Sequence, residues 1–257
     1  MAAQLVLTAL PDIPLVKPGD DLAGLIQEGL SRAGLKVQTG DVLVVTSKVV
    51  SKAEGRLLNL AEVTPSPEGV RLAEQSAKDP RLAEVVLQES RKILRVRPGL
   101  VIVQHRLGFV CANAGVDHSN VRGEGGQPED WVLLLPLDPD ASALRLKERL
   151  EAESRVSIGV LIIDSHGRAW RMGTVGVAIG VAGFPALLNL RGQPDLFGYH
   201  LQVTEVGLAD EVAAAASILA GQAAEGLPVV HVRGLPYPLR PGKLAELIRP
   251  EEQDLFG

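Results

Sequence analysis

SIGVLIID (157–164) carries no charge until its last residue. Apolar throughout, it reads as a strand that has to lie inside the molecule, with Asp164 as the point where the chain leaves the core. DVLVVTSKVVSK (41–52) is β-branched and mostly apolar, and reads as a second buried strand ending in lysines. LVLTAL (5–10), WVLLLP (131–136) and PVVHVRG (228–234) are further strands. ILRVR (93–97) and LVIVQ (100–104) are two more, split by the turn pair Pro98-Gly99. The glycine-spaced run GTVGVAIGVAG (173–183) allows close backbone approach.

Helices announce themselves between these runs. KPGD (17–20) turns into a helix with Leu22, Leu25, Ile26 and Leu30 on one face. Ser66-Pro67 and Asp79-Pro80 each set a cap residue before a proline at the first helical position. DPDASALRLKERLEAE (138–153) puts its acids first, as the helix dipole prefers. LADEVAAAASILAGQ (208–222) is alanine-rich, KLAELI (243–248) is a short helix, and HSNVRGEGGQPED (118–130) is the most loop-like stretch. Strands and helices mingle without regular βαβ alternation, which predicts an α+β fold.

The chain of 257 residues can bury one large core or two modest ones. A net charge of −5 excludes an extended nucleic-acid or anionic-membrane surface. The single cysteine, Cys111, allows no internal disulfide, and reads as a small buried hydrophobe. The N-terminal segment lacks a basic region and is broken by Pro11, Asp12 and Pro14, so it reads as a poor signal peptide; no apolar run approaches membrane length. A cytoplasmic protein is expected.

Standard signatures are missing: there is no P-loop, no G-x-G-x-x-G, no G-x-S-x-G and no H-E-x-x-H. The histidines at 105, 118, 166, 200 and 231 have no ligand spacing, which argues against zinc, and His231 reads as a satisfied sheet residue. What remains are carboxylates after apolar strands. CANAGVDHSN (111–120) delivers Asp117, and Asp164 is followed by Ser165. Such oxygen donors suit magnesium or manganese, although aspartate also simply starts turns. Lys48, Lys52, Arg56, Arg168 and Arg171 follow the same strands, either as solvated surface charge or as the cations of a metal–phosphate site.

Taken together and in order, IPLVKPGDDL (13–22), SKVVSKAEGR (47–56), GFVCANAGVDHSN (108–120), DSHGRAWRMGTVGVAIG (164–180), RGQPDLFG (191–198) and LADEVAAAASILAGQ (208–222) resemble the coenzyme F420-0:γ-glutamyl ligases. The resemblance implies a two-lobed mixed fold peculiar to that family over residues 1–234, one lobe being inserted around 85–130, followed by a tail, 235–257. It implies a GTP-dependent amide ligase that adds L-glutamate to the deazaflavin coenzyme F420-0 through an acyl phosphate. Two magnesium or manganese ions are implied, with potassium in some members, and a homodimer with the nucleotide near the subunit interface. The glycine-spaced strand is the expected flat contact surface. Related chains continue into a nitroreductase-like domain, whose activity is expected to be missing here.

Carried over by position, Asp117 and Asp164 ligate one ion, and Ser165 and Gln222 the other. Nucleotide contacts fall on Ile13, Pro14, Leu15, Val16, Ser47, Lys48, Lys52 and Asn120, and on Ala220, Gly221, Gln222, Ala223, Ala224, Glu225, Gly226 and Leu227. Lys52 and Arg168 are the expected charge-neutralising catalytic cations. Ser165 stands where threonine is common and keeps the hydroxyl. Gln222 stands where some members carry glutamate, which predicts a weaker second ion. No general base is assigned; Asp210 and Glu211 read as first-turn helix residues. The rival readings are a two-metal phosphohydrolase and a non-catalytic deazaflavin or nucleotide carrier.

Overall fold

The computed structural model describes residues 3–123, 125 and 127–254. Glu124 and Gly126 of the loop-like stretch, and residues 255–257 of the tail, lie outside the described residues. The chain begins with β1 (Val6–Ala9), α1 (Leu22–Arg32), β2 (Val42–Thr46), α2 (Ser47–Ala53) and β3 (Leu57–Asn59). Next come α3 (Pro67–Ser76), α4 (Pro80–Gln88), β4 (Ser90–Arg97), β5 (Leu100–His105), β6 (Val110–Ala112) and β7 (Trp131–Leu133). The remainder is α5 (Pro139–Ser154), β8 (Gly159–Arg168), β9 (Arg171–Ala182), β10 (Leu188–Asn189), β11 (Glu205–Val206), α6 (Leu208–Ala220) and β12 (Val229–Arg233). The fold is α+β, as the lack of alternation predicts. The predicted caps at Ser66 and Asp79 form, accepting from Gly69 and Arg81 N–H, and Asp138 caps α5 by accepting from Ala141 N–H; proline starts each helix.

The apolar runs assemble into one sheet in the order β1-β12-β2-β8-β9, parallel between β2 and β8 and antiparallel elsewhere. Alternation sorts its side chains. Leu43, Val45, Val160 and Ile162 face α1 and α5, while Val42, Val44, Leu161 and Ile163 face α6. Both faces are covered, which is why β2 and the first half of β8 carry no polar side chain until their ends. A smaller sheet, β4-β5-β6, packs α3 and α4 over its own apolar cluster of Leu72, Val86, Val101 and Val103. The β3–β7 ribbon lies between the two sheets in sequence and contributes Val132 to a further cluster with Leu60 and Val85.

Several strand boundaries differ from the sequence reading: the strand over 131–136 ends at Leu133 and that over 93–97 starts at Ser90. Two others shape the site. The expected strand over 41–52 ends at Thr46, whose N–H makes the last bond on that side, to Pro228 O (2.9 Å) just before β12. The remaining valines overcome their strand preference by burial. As helix α2 the segment buries Ser47, Val49, Val50 and Ser51, and sets Lys48 and Lys52, four apart, on one face. β8, in contrast, runs past Asp164 to Arg168. Its pairing with β2 ends at Thr46–Ile163, and only β9 accompanies it further. The apolar run therefore marks the extent of two-sided coverage, not the end of the strand.

The glycines of β9 are used within the chain. A Cβ on Gly176 would lie 2.6 Å from Ala213 O of α6, and one on Gly180 2.5 Å from Pro139 O of α5. The expected flat surface for a second copy is thus occupied by this chain's own helices. At the far end of the sheet, buried Asp41 accepts from His231 Nε2 (2.8 Å), Arg233 Nη2 (2.6 Å) and Gln38 N (2.7 Å). His231 is satisfied on that side, while its Nδ1 has no partner.

Candidate active site

The site starts from the parallel register of β2 and β8. Thr46 pairs with Ile163, so the next residues, Ser47 and Asp164, emerge side by side. Ser47 Oγ donates to Asp164 Oδ1 at 2.8 Å, and His166 Nε2 lies 3.0 Å from Oδ2. Burial opposes ionisation of Asp164, but the hydrogen bonds and charge supplied by His166 and Ser47 outweigh it and hold the carboxyl below its ordinary range.

The opposite wall is the loop after β6. Asn113, Ala114 and Gly115 take left-handed backbone, with φ of 49°, 53° and 68°. That conformation costs Ala114 roughly 1–2 kcal/mol. It is held by Asn113 Oδ1, which accepts from Val101 N at 3.1 Å. Gly115 is required, since a Cβ there would lie 2.6 Å from Leu135 Cδ1. The turn delivers Asp117 to a two-bond bridge with Leu133. Its Oδ2 then meets Lys48 Nζ at 2.8 Å, and its Oδ1 accepts from Ser119 N at 2.7 Å. Burial raises the Asp117 carboxyl, yet Lys48 and Ser119 bring it below the usual value.

Four further bonds seat this loop. Lys48 Nζ also donates to Ser119 O and Oγ, and Lys52 Nζ donates to Asn120 O at 2.7 Å. Asn120 Nδ2 donates to Ala223 O (2.9 Å), just beyond α6. Partial burial and the charge of Lys48 pull the Lys52 ammonium below its ordinary value. The structure thus brings together Ser47, Lys48, Lys52, Asp117, Asn120, Asp164 and Ala223.

Other expected residues lie around this centre. Ser165 alternates to the α6 face of β8, opposite Gly176. Gln222 is exposed just past the end of α6, which stops at Ala220 rather than 222. Between them, Gly221 turns at φ 74° and the Glu225 carboxylate folds back to accept from Ala223 N at 2.8 Å. Ala224, Gly226 and Leu227 complete this loop into β12. Ile13 and Val16 pack into the core cluster beside α1, with Pro14 and Leu15 exposed between them. Arg168 sits at the β8–β9 turn, where its Nη2 donates to Met172 O (2.9 Å). Four residues along the strand place its backbone about 13 Å from Asp164. Arg56 turns away from the centre to Glu89 and Leu135 O. Asp210 accepts from Ala178 N in the first turn of α6.

Two neighbours were not singled out in sequence. His166 follows Asp164 by two, and the strand period alone puts both on one face. Ser119 fixes the Asp117 carboxylate from within the same turn. Among the described residues no group of three or more His, Cys, Asp or Glu side chains is placed to hold a metal. Two ionised carboxylates next to serine hydroxyls do fit magnesium or manganese, which take oxygen ligands; magnesium in particular is commonly held by one or two carboxylates plus substrate phosphates. Lys48 and Lys52 add the charge that phosphates need.

With this geometry in view, comparison with known proteins gives a consistent picture. The model of the F420-0:Gamma-glutamyl ligase family matches residues 12–234. The chain is 44% identical over 252 residues to the coenzyme F420:L-glutamate ligase of Methanothermobacter thermautotrophicus, covering 97% of this chain and 98% of that protein. Identity to the enzyme of that name from Methanopyrus kandleri is 47% over 245 residues, 94% of this chain and 93% of the relative. For Methanocaldococcus jannaschii it is 40% over 247 residues, 95% and 94%.

Proposed function

The chain belongs to the F420-0:Gamma-glutamyl ligase family, and from that premise we propose that it is a ligase of coenzyme F420 biosynthesis, joining L-glutamate to coenzyme F420-0 at the expense of GTP. The observation that carries the reading is that one helix within the matched segment, α2, reaches both carboxylates: Ser47 bonds Asp164, Lys48 pairs with Asp117, and Lys52 bonds Asn120 O. That arrangement suits transfer of a phosphoryl group between two oxygens.

A carboxylate does not condense with an amine at neutral pH, because its oxygen is a poor leaving group. In the proposed sequence the acceptor carboxylate attacks the γ-phosphorus of GTP, and the bond to the β-phosphate oxygen breaks, releasing GDP. The glutamate amine then attacks the acyl phosphate, inorganic phosphate leaves, and the nitrogen gives up a proton. Lys48 and Lys52 hold phosphate oxygens, and Asn120 and the 220–227 loop orient the nucleotide. Asp117 and Asp164 would hold a magnesium or manganese ion, and Ser165 and Gln222 would offer oxygens to a second. Such ions, when bound, neutralise charge on the phosphates. Arg168 belongs to this chemistry only if its turn swings inward.

We further propose a homodimer. Its support is a set of side chains almost wholly in solvent: Trp170 and Met172 at the β8–β9 turn, and Leu196 and Phe197 between β10 and β11. Large apolar side chains left this exposed are the groups that an association surface would cover.

Incubating the protein with F420-0, GTP, manganese and L-glutamate tests the activity. Mass spectrometry should find products heavier by one glutamyl unit or more, and only with all components present. Phosphate release at the same rate without glutamate would make the protein a hydrolase instead.

A further inference from the structure

We infer that His166 is a positioning residue for Asp164, acting through its hydrogen bond and not through its bulk. The inference rests on the proposed role of Asp164 as a metal ligand. His166 and Asp164 leave the same face of β8, and Nε2 stands 3.0 Å from Oδ2. An ionised carboxylate only accepts, so Nε2 carries the hydrogen. With Ser47 Oγ on Oδ1 at 2.8 Å, each oxygen of Asp164 has one fixed donor and keeps lone pairs for a cation. A carboxylate pinned at both oxygens cannot swing about its own axis.

The imidazole is itself held. His166 is 8% exposed, and the Phe109 ring lies against it at 5.1 Å between centroids, tilted by 50°. Phe109 in turn stacks on His105, also at 5.1 Å but only 5° from parallel. His105 is fully buried, and its Nδ1 accepts from Leu107 N at 3.1 Å. Phe109 packs against the apolar clusters of both sheets. The column His105–Phe109–His166 therefore runs from the smaller sheet to the carboxylate, and sets the direction of the Nε2–H bond from outside β8. Partners that orient a ligating group in this way are worth about 10–100-fold in metal affinity.

The test compares His166→Gln with His166→Phe in the full chain, with His166→Leu as a smaller apolar replacement. Gln carries an amide N–H that can reach Oδ2, whereas Phe keeps the ring against Phe109 and loses the donor. Binding of manganese alone is read from the electron paramagnetic resonance of the free ion, and melting curves verify folding. Binding by His166→Phe, or by His166→Leu should the former not fold, is expected to weaken about 10–100-fold, with His166→Gln near wild type. In turnover the apparent KM for manganese should rise while kcat at saturating manganese changes little. A side chain that merely fills space predicts the reverse order, and wild-type affinity in the apolar variants overturns the inference. Asp164→Asn is the reference. If it binds manganese as wild type does, or if the wild type leaves all manganese free, the metal role of Asp164 fails and the inference with it.

Discussion

Asp117 serves two partners whose demands can be separated. Its Oδ1 fixes Ser119 N within the turn, and its charge meets Lys48. Asn at this position keeps the acceptor oxygen and loses the charge. Asp117→Asn should therefore fold normally while turnover falls by at least about a hundredfold, close to 3 kcal/mol of lost stabilisation. A variant that keeps more than about a tenth of wild-type kcat at saturating manganese would place Asp117 in the turn alone. Cys111 makes the opposite case. Burial, with the charge of Asp164 adding to it, pushes its thiol up to about 12, and it lies in the apolar cluster of the smaller sheet. Iodoacetamide should leave the native protein unmodified at pH 8 and label it in denaturant; rapid labelling of native protein would refute this inert role.

Between elements, the end of α4 is tied to its surroundings through one carboxylate. Glu89 accepts from Arg56 Nη2 (2.9 Å) and Arg106 Nε (2.8 Å), and His105 Nε2 stands 3.7 Å away, too far for a hydrogen bond. Burial would raise the Glu89 carboxyl, but these neighbours carry it down to about 2. A carboxyl lowered on folding stabilises above its unfolded value of about 4.3, and that stability fades as pH falls towards 2. His105 acts in the same direction. Burial lowers its value, so below about pH 6.5 the unfolded chain takes up this proton more readily. Glu89→Gln should cost about 2–3 kcal/mol at pH 7, since it removes the charge shared by two guanidinium groups, which keep only the carbonyls of Leu135, Pro136 and Leu137. The difference from wild type should shrink in urea titrations at pH 3. An equal loss at both pH values would show that Glu89 acts by shape and not by charge.

At the scale of the whole molecule, the exposed turns bear on assembly. Wild-type protein should scatter light as two copies of the 27.2 kDa chain. Trp170→Ser combined with Phe197→Ser should shift it towards one copy without lowering the melting temperature, as both side chains are 96% exposed. A fully active single-copy wild type would exclude the dimer. The glycine-spaced β9 seemed, as a sequence, the natural place for such a contact, yet α5 and α6 of the same chain fill it. No described helix is long and apolar enough to cross a bilayer. The amino-acid sequence alone determined the helix starts at Ser66, Asp79 and Asp138, the apolar strands of the main sheet, the α+β class, and the segments that carry the family resemblance. These follow from signals between near neighbours: a cap three residues from its N–H, or an unbroken apolar run. Tertiary structure alone decided that β2 stops at Thr46 and that Asp164 lies inside a longer hairpin. It also decided that Lys48 reaches Asp117 and that Asn120 reaches Ala223. Each of these depends on where a strand loses its neighbour or how a distant loop is seated, and no local pattern encodes a register between segments a hundred residues apart.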